Sequence, residues 1–482
     1  MEKEPTMTES TVNEPSINEP SINEPSTNKL GTTMNSGVLG HLPFGVWHVK
    51  FLLIMAVAWA FDAMDTGIIA FVLPKLMKVW SLSPGQIGII GSMGLVGMAI
   101  GAVLAGTLAD KFGRKRVMIG MMVVYGLASL GCAESTSFEM LLLFRIIVGF
   151  GLGGQLPVAV TLISEYAPIS HRGRMIVWVE SSWAVGWLVA AIMAYFVIPD
   201  YGWEPAFYVG ALPVLWAIVV AFTIPESAQY LEKQGNYDAA RNIVGHIVHD
   251  AGTAGTVAVE AAKSAVVAIN SDASDTTKSV KAFTVATLFS KPYLQRTLCL
   301  WIVWFGLVFS YYGIFMWLPT LLVKSGHTMI QSFSFVLWMT IAQIPGYAVA
   351  AYLIDCIGRK KTLSSFLLLC AVSAYFFGHA TSSTEILVYG CAMSFFNLGA
   401  WGCIYTYTPE MYPTEGRATG SGWAAACGRC GGIVAPLVVG ALFTGPDQFA
   451  LIFGIFTGVL VIISLTLWFL GVETMNKELD YI

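Results

Sequence analysis

Charge is scarce in this chain of 482 residues: Asp, Glu, Lys and Arg supply 12% of it, whereas the apolar set AVILMFWYC supplies 56%. Soluble domains use about 25% charged residues, so the composition argues against a soluble enzyme. The net charge of -4, with no domain-wide basic patch, excludes a nucleic-acid-binding protein. Because one bilayer span takes about 20 apolar residues, the length accommodates about twelve spans. The composition therefore indicates a polytopic membrane protein.

Cysteine, metal-ligand and nucleotide-binding patterns are also lacking. The 8 cysteines lie mostly inside apolar runs, so no disulfide framework is predicted. Cys427 and Cys430 spell C-G-R-C, which we interpret as two small residues at helix spacing rather than a redox motif. The 7 histidines show no metal-ligand spacing, and no G-x-x-x-x-G-K-[ST] run is present. We expect no metal, no cofactor and no enzymatic activity; a membrane-embedded enzyme is the alternative, and conversion of ligand by purified protein would support it.

From Trp47 onward, apolar stretches of span length alternate with short polar breaks, which predicts twelve transmembrane helices. They are expected near residues 47–74, 85–109, 117–134, 138–163, 175–198, 206–224, 293–322, 330–354, 362–380, 384–408, 419–443 and 448–471. We expect a disordered tail with Asn-Glu-Pro repeats at residues 1–45 and a first six-helix bundle at 46–224. A central loop at 225–291 leads to a second six-helix bundle at 292–473 and a short tail at 474–482.

Basic residues predict the orientation in the membrane. Alternate short loops contain Lys111, Arg114, Lys115, Arg116, Arg172, Arg174, Arg359, Lys360, Lys361 and Arg417. The opposite loops contain only Lys75, Lys78 and Lys324. By the positive-inside bias the first set faces the cytosol, together with both termini and the central loop. We therefore expect a multi-pass protein of the cell membrane with both ends in the cytosol.

An internal repeat appears when the second half is aligned with the first at an offset of 245 residues. Seven identities result, in loops that follow equivalent spans. The pairs are Asp110 and Asp355, Gly113 and Gly358, Arg114 and Arg359, Lys115 and Lys360, Glu165 and Glu410, Pro168 and Pro413, and Arg172 and Arg417. Two similar six-span bundles in the same orientation, with a site between them at the membrane midplane, are a transporter architecture.

The loop after the second span reads GTLADKFGRKR from Gly106, and its counterpart reads AYLIDCIGRKK from Ala351. This repeated loop resembles the signature of the major facilitator superfamily. The resemblance implies an all-α integral membrane fold, with twelve helices in two six-helix bundles related by a pseudo-two-fold axis. A carboxylate at the cytosolic end of a helix pairs with basic groups and helix N-termini only when that side is closed, so the loop biases one conformation. Enforcing the topology is a second role that the basic residues can hold at the same time.

Five ionisable residues lie deep inside predicted spans, where charge is costly and marks a functional site by default. They are Asp62, Asp65, Arg145, Glu180 and Arg429. Asp62 and Asp65 are three residues apart and share a helix face. Three acids against two bases leave one carboxylate without a basic partner, which favours a proton-carrying site; a carboxylate lining a wet cavity is the alternative. Arg145 is equally consistent with an ion pair to one of these acids and with ligand contact.

Arg429 is the candidate for binding an anionic substrate. Its guanidinium presents a fixed fork that matches a carboxylate, and flanking glycines leave space beside it. The segment CGRCGGIVAP also resembles a helix of mammalian organic-anion transporters of the same superfamily, in which an arginine at the matching position serves anion recognition. The alternative is a structural ion pair with Asp62 or Asp65 across the two halves.

Aromatic residues stand beside polar groups on four of the predicted helices. These sets are Glu180, Trp183 and Trp187; Tyr311, Tyr312 and Trp317; Gln343 alone; and Asn397, Trp401 and Tyr405. A polar group with aromatic neighbours on one helix face offers a flat ring both stacking and a hydrogen bond at its edge. For any one of these aromatics, packing or lipid contact is the alternative, but the joint pattern predicts a planar aromatic substrate.

Several segments together look like the bacterial niacin (nicotinate) transporters of the superfamily, from about residue 45 to 473. They are FDAMDTGI, GLGGQLPVA, ESSWAVGW, SYYGIFMWLP, FFNLGAWG and YTPEMYPTEGRATGSG. The resemblance implies a monomeric importer of nicotinate or a similar aromatic carboxylate, which moves protons with it by alternating access. In this hypothesis Arg429 binds the carboxylate, and the ring is framed by Trp183, Trp401, Tyr311 and Tyr312, with Trp317 and Tyr405 nearby. The ring nitrogen is bound by Asn397 or Gln343. The proton is carried by Asp62, Asp65 or Glu180.

Three alternatives remain at this point: a porter for other organic anions, a sugar porter, and a non-transporting receptor. Sugar porters share the charged loop and a PESxxYL-like run, which is present here from Pro225 to Leu231. The sequence lacks their paired glutamines on the seventh helix, and Arg429 has no evident carbohydrate role. The charged loop in both halves argues against a receptor, because only a protein that changes conformation needs it.

Overall fold

The computed structural model of the chain describes residues 38–252, 257, 284–413 and 416–475. Most of the predicted N-terminal tail, much of the central loop and most of the C-terminal tail lie outside the described residues. The boundaries proposed above for the tails, bundles and loop stay a prediction.

Twelve helices in the described part of the chain are long and apolar enough to cross a membrane, which confirms the predicted number of spans. We label them α1 to α12. Their ranges are Val46–Val79 (α1), Pro84–Phe112 (α2), Arg114–Ala133 (α3), Phe138–Tyr166 (α4), Arg172–Tyr201 (α5), Glu204–Thr223 (α6), Lys291–Lys324 (α7), Met329–Cys356 (α8), Arg359–Gly378 (α9), Ser383–Glu410 (α10), Arg417–Leu442 (α11) and Phe449–Leu470 (α12). Span α6 consists of two segments, Glu204–Val209 and Pro213–Thr223.

Short helices occupy the described ends of the central segment. They cover Ala228–Lys233 and Tyr237–Asp250 after α6, and Val285–Leu288 before α7. The helix Tyr237–Asp250 buries Ala240, Val244 and Ile247. Its apolar residues recur at helical spacing on a single face, as expected for an amphipathic helix, and the helix packs against Ala228–Lys233.

The internal repeat extends to the ends of the helices. Each helix of the first half begins 245 residues before its counterpart in the second half, as Val46 and Lys291 do for α1 and α7. The packing repeats as well: α2 packs on α4 as α8 packs on α10, and α1 packs on α5 as α7 packs on α11. The prediction of an all-α fold with two equivalent six-helix bundles is confirmed.

The same local chemistry starts the equivalent helices. The hydroxyls of Ser83 and Thr328 accept hydrogen bonds from the backbone N–H groups of Gln86 and Gln331, and these glutamines bond back to the capping residues. Such a capping box satisfies backbone donors that the first turn of a helix leaves unpaired. The two bundles are therefore specified by equivalent signals at equivalent positions.

Glycines allow equivalent helices to approach closely. A methyl group on Gly101 of α2 would collide with the carbonyl oxygen of Phe150 in α4. A methyl group on Gly346 of α8 would collide with the carbonyl oxygen of Phe395 in α10. These residues occupy equivalent positions in the repeat, so both bundles use the same backbone contact between small residues, which is typical of membrane helices.

The two halves meet mainly on the side of the membrane opposite the charged loops. We call the side with the charged loops the basic side and the other side the far side. On the far side, Gly88 of α2 lies against Pro436 of α11, and Phe71 of α1 packs edge-on against Phe333 of α8, with ring centroids 5.4 Å apart. Helices α4 and α10 pack extensively only within their own half. The structure is therefore closed on the far side, and the halves separate toward the basic side.

Candidate functional site

A cavity of about 140 Å³ lies between the two halves near the middle of the spans. Both bundles line it. Its walls are formed by Trp59, Leu95, Met98, Leu156, Glu180 and Trp183 from the first half, and by Trp304, Val308, Tyr311, Tyr312, Tyr347, Leu398, Trp401, Tyr405, Ala425, Arg429 and Gly432 from the second. Pockets for drug-sized ligands span about 300–1,000 Å³, so this cavity suits a small molecule.

Two charged side chains line the cavity, one from each half. Glu180 of α5 is buried, and Arg429 of α11 is half-buried. Neither takes part in an ion pair in the described part of the chain. Tyr405 lies within electrostatic range of both charges, whereas Tyr312 lies near Arg429 and Tyr347 near Glu180. The cavity thus has a negative end and a positive end with polar hydroxyls between them.

Aromatic rings form most of the remaining wall. Trp304 packs edge-on against Trp401 and Tyr405, at centroid distances of 5.8 and 5.4 Å, and Tyr311 packs edge-on against Trp401 at 5.6 Å. The Trp304 indole N–H donates to the hydroxyl of Thr408 at 2.9 Å, which fixes the orientation of that ring. Edge-to-face packing holds each ring by its neighbours. The wall is therefore a rigid, largely apolar box suited to a flat ring.

One hydrogen bond crosses between the halves at the cavity wall. The indole N–H of Trp183 in α5 donates to the hydroxyl of Tyr311 in α7 at 2.9 Å. Just beyond it toward the far side, Trp187 is almost fully buried and packs against Phe71, Tyr311 and Phe315. These rings close the cavity on the far side, so Trp187, the second aromatic of the predicted ESSWAVGW face, belongs to this closure and does not line the cavity.

A buried ion pair lies in the first bundle away from the cavity. The Nη1 atom of Arg145 lies 3.1 Å from the Oδ2 atom of Asp65, and both side chains are almost fully buried. The Ser129 hydroxyl lies 3.2 Å from the other oxygen of Asp65 and 3.1 Å from the carbonyl oxygen of Phe207. This network joins α1, α3, α4 and α6. Of the two readings of Arg145, the structure favours an ion pair over contact with a ligand in the cavity.

Asp62 is also buried in the first bundle and lies beside Tyr125 of α3. The Tyr125 hydroxyl is its polar neighbour, and no basic side chain pairs with Asp62 among the residues that the structure describes. Asp62 and Asp65 therefore share a helix face, as their spacing predicted, but only Asp65 is paired with a base. Arg429 pairs with neither of them in the described part of the chain, contrary to the structural alternative considered for it.

The charged loops form matching clusters on the basic side. Arg114 pairs with Asp110 at 3.0 Å and with Glu165 at 3.4 Å. In the second half, Arg359 pairs with Asp355 at 3.4 Å and with Glu410 at 3.3 Å. Arg417 donates to the carbonyl oxygen of Pro409, and Arg172 is exposed at the start of α5. Each of these clusters joins residues of one half only, which fits halves that separate on this side.

Each cluster contains a further acid that sequence reasoning did not assign. Glu226 accepts a hydrogen bond from the backbone N–H of Lys115 at 2.9 Å, at the start of α3. Glu473 accepts one from the backbone N–H of Arg359 at 2.9 Å, at the start of α9. Gly113 and Gly358 precede these helices with φ of 100° and 103°, a conformation that favours glycine. The PES run around Glu226 was visible in the sequence, but its contact with the loop was not.

The structure brings together most of the predicted substrate-site residues and leaves three aside. The cavity contains Glu180, Trp183, Tyr311, Tyr312, Trp401, Tyr405 and Arg429. Trp317 instead packs against Phe443 near the far end of α7. Gln343 and Asn397 are fully buried outside the cavity wall, and the Asn397 amide lies 3.6 Å from the sulfur of Cys370. No residue assigned in advance to the ring nitrogen lines the cavity.

Three aromatic residues of the cavity were not predicted from the sequence: Trp59, Trp304 and Tyr347. Helical spacing offered a signal for each of them. Trp304 lies seven residues before Tyr311, Trp59 lies three before Asp62, and Tyr347 follows Gln343 by four. Trp59 and Trp304 are also equivalent in the repeat, so the structure places one tryptophan of each half on opposite walls.

Comparison with known proteins agrees with this architecture. The niacin transporter NiaP of Acinetobacter baylyi is 49% identical over 92% of this chain and 98% of its own. A putative niacin/nicotinamide transporter of Bacillus subtilis is 42% identical over 89% and 98%. A partially occluded inward-open structure of the xylose transporter XylE from E. coli superposes with a TM-score of 0.72 at 18% identity, covering 90% of this chain and 100% of that one, and shows the same fold.

The sugar (and other) transporter family matches residues 47–482, nearly the whole length after the N-terminal tail. Together with the twelve membrane helices and relatives named as transporters, this match confirms the interpretation as a transporter rather than an enzyme. The chain is a multi-pass membrane protein that belongs to the sugar (and other) transporter family of the major facilitator superfamily.

Proposed function

We propose that this protein imports nicotinate, or a closely similar small aromatic carboxylate, together with protons across the cell membrane. The observation that carries the proposal is Arg429, which has no acidic partner among the described residues and lies in a small cavity walled by aromatic rings between the two bundles. A guanidinium binds a carboxylate through two parallel hydrogen bonds. The surrounding rings supply stacking and edge contacts for a flat ring. The names of the two bacterial relatives support nicotinate as the substrate.

Alternating access gives the transport mechanism. With the basic side in the cytosol, the orientation favoured by the positive-inside bias, the structure corresponds to an inward-facing state. Rocking the halves about the central cavity would separate the contact of Gly88 with Pro436 on the far side and bring the charged clusters of the two halves together. Both termini are cytosolic in this arrangement, and one chain contains the complete cavity, so a monomer suffices.

Coupling to protons has an energetic reason. An anion that enters an inside-negative cell works against about 2.3 kcal/mol per 100 mV. One accompanying proton removes the net charge movement. The candidate proton carriers are the acids deep in the first half, among which Glu180 lines the cavity, Asp62 is unpaired and Asp65 is paired with Arg145.

Uptake of labelled nicotinate into cells that express the protein tests the proposal. We expect labelled nicotinate to accumulate in the cells. A proton ionophore should reduce this accumulation, and unlabelled nicotinate should compete strongly with the labelled substrate. Nicotinamide should compete weakly, because it lacks the carboxylate. Absence of uptake would overturn the proposal, and competition by glucose alone would favour a sugar porter. In proteoliposomes, saturable binding without flux would favour a receptor.

A further inference from the structure

The site contains two opposite charges that do not neutralise each other. Glu180 projects from α5 and Arg429 from α11, and no ion pair joins them in the part of the chain that the structure describes. Opposite charges attract strongly where little water screens them. The rigid aromatic wall holds the two helices in place, so these charges stay apart with a cavity between them. A ligand that spans this gap needs an anionic group at one end and a hydrogen-bonding atom at the other.

Resting on the proposed function, we propose that protonated Glu180 donates a hydrogen bond to the ring nitrogen of a pyridine carboxylate whose carboxylate lies on Arg429. The substrate class is then a pyridine monocarboxylate and not any aromatic acid. While the ligand is bound, the coupled proton stays on the carboxyl oxygen of Glu180 and forms this hydrogen bond to the ring nitrogen. After the ligand leaves on the cytosolic side, the Glu180 carboxyl releases the proton to water there. Glu180 thus determines both selectivity and coupling.

Chemical complementarity supports the protonated form as the binding form. The nitrogen of a neutral pyridine ring has a lone pair and no hydrogen, so it accepts and cannot donate. An ionised carboxylate only accepts, so its lone pairs would oppose that of the ring nitrogen. With Glu180 protonated, the cavity carries the single positive charge of Arg429 and neutralises one anion. With Glu180 ionised, the anion meets a second negative charge at close range.

The surroundings of Glu180 contain no competing base on its own half. The ionisable or hydrogen-bonding groups that line the same cavity are Trp59 of α1, Trp183 of α5, Trp304, Tyr311 and Tyr312 of α7, Tyr347 of α8, Trp401 and Tyr405 of α10, and Arg429 of α11. Arg145, the buried base deep in the spans of the first half, is paired with Asp65 and does not line the cavity. Gln343 and Asn397, the amides first expected to meet the ring nitrogen, also lie outside the wall. Glu180 remains as the carboxyl group available to the far end of the ligand.

The test compares Glu180→Gln with Glu180→Leu in purified protein reconstituted into liposomes. Exchange of labelled nicotinate is measured with equal pH on both sides, from pH 5.5 to 8, with benzoate as the competitor that lacks the ring nitrogen. A glutamine amide is a permanent neutral donor of nearly the same shape, whereas leucine removes the donor. Glu139→Gln, a change on the surface at the start of α4, is the matched control.

Three results are expected. The wild type should prefer nicotinate over benzoate by roughly tenfold, the value of one hydrogen bond to a buried group, and its exchange should fall as pH rises. Glu180→Gln should keep that preference, lose the pH dependence of exchange and fail to accumulate nicotinate in response to a proton gradient. Glu180→Leu should bind nicotinate and benzoate about equally, and Glu139→Gln should behave as the wild type.

Two outcomes would overturn this inference while the proposed function stands. One is a Glu180→Leu protein that still prefers nicotinate to benzoate as the wild type does. The other is a Glu180→Gln protein whose exchange keeps its pH dependence. If the wild type itself exchanges no nicotinate, the proposed function fails instead. Folding of each variant is checked by thermal unfolding and elution volume, and Glu180→Gln keeps the inference testable where Glu180→Leu does not fold.

Discussion

The two halves of the molecule share a scaffold and differ in the polar groups they bury. Helix ends, capping boxes and close glycine contacts repeat at an offset of 245 residues. At the same offset, Asp65 corresponds to Ser310 and Arg145 to Gly390, so the second half lacks the buried ion pair. The cavity residue Glu180 corresponds to Ala425, which also lines the cavity. Equivalent backbones therefore carry a buried ion pair in the first half and, in the second half, an arginine that lines the cavity, Arg429.

This difference separates residues that stabilise the fold from residues that serve the ligand. Arg145 is buried and paired, whereas Arg429 lines the cavity and is unpaired. A functional site commonly keeps groups whose interactions are completed only by the ligand, and such groups contribute little to stability. The comparison is tested most directly by removing groups of each kind at equivalent places.

The largest effect is expected from breaking the buried pair of the first half. Asp65→Leu leaves Arg145 charged and unpaired, and breaking a buried pair costs about 3–5 kcal/mol. The double variant Asp65→Leu with Arg145→Leu should recover much of that loss, because no charge remains unpaired. Thermal and denaturant unfolding of purified protein measures both. The control is Ser310→Ala at the equivalent position of the second half, where the hydroxyl donates to the carbonyl oxygen of Leu307 in its own helix. An Asp65→Leu protein as stable as Ser310→Ala would contradict the assignment of a structural role.

Removal of Arg429 should weaken ligand binding and leave the stability of the fold nearly unchanged. Arg429→Ala is expected to weaken nicotinate binding about 100-fold, because about 2.7 kcal/mol of charge-assisted hydrogen bonding disappears. Stability should change by less than about 1 kcal/mol, since no acidic partner is left behind. Binding by calorimetry and unfolding are measured on the same preparation. Arg241→Ala, on an exposed helix of the central segment, should change neither. Normal binding by Arg429→Ala would remove this residue from the site.

The shared scaffold predicts equal effects at equivalent glycines. Gly101→Ala and Gly346→Ala each place a methyl group against a backbone carbonyl of the neighbouring helix, Phe150 or Phe395. Overpacking of this kind costs about 1–3 kcal/mol. Both variants should lower the unfolding temperature by similar amounts. Gly120→Ala in α3 has open space around it and should be neutral or slightly stabilising. A large loss in one half only would show that the two bundles are not equivalent in packing.

The scaffold was predictable from the sequence, whereas the site was predictable only in part. Apolar runs of span length and the repeated loop depend on local composition, so the twelve helices and their equivalence followed directly. Arg429 and Trp183 were found because charge and helical spacing mark them within one segment. Trp317 and Asn397 satisfy the same spacing rule but are buried away from the cavity. Spacing along one helix does not determine which face meets the other bundle. The contact of Glu226 with the start of α3 joins residues 111 positions apart, which no local pattern reveals.

The smallest effect is expected at the acids that cap α3 and α9. Glu226 accepts from the backbone N–H groups of Lys115 and Ser227, and Glu473 from those of Arg359, Thr474 and Met475. A carboxylate at a helix N-terminus contributes about 1 kcal/mol through its hydrogen bond and the helix dipole.

Glu226→Gln and Glu473→Gln should therefore each lower the free energy of unfolding by about 1 kcal/mol, by similar amounts. Glutamine keeps an acceptor oxygen but loses the charge, so binding of nicotinate should not change, because neither residue lines the cavity. Unfolding in detergent and binding by calorimetry distinguish the two properties. A change in affinity without a change in stability would mean that these caps act on the equilibrium between the two conformations. The apparent affinity of the protein rises in proportion to the population of the conformation that binds the ligand. Equal loss of stability in both halves would show that the caps belong to the scaffold that the two halves share. The difference between the halves would then lie in Glu180, Arg429 and the ion pair of Asp65 with Arg145.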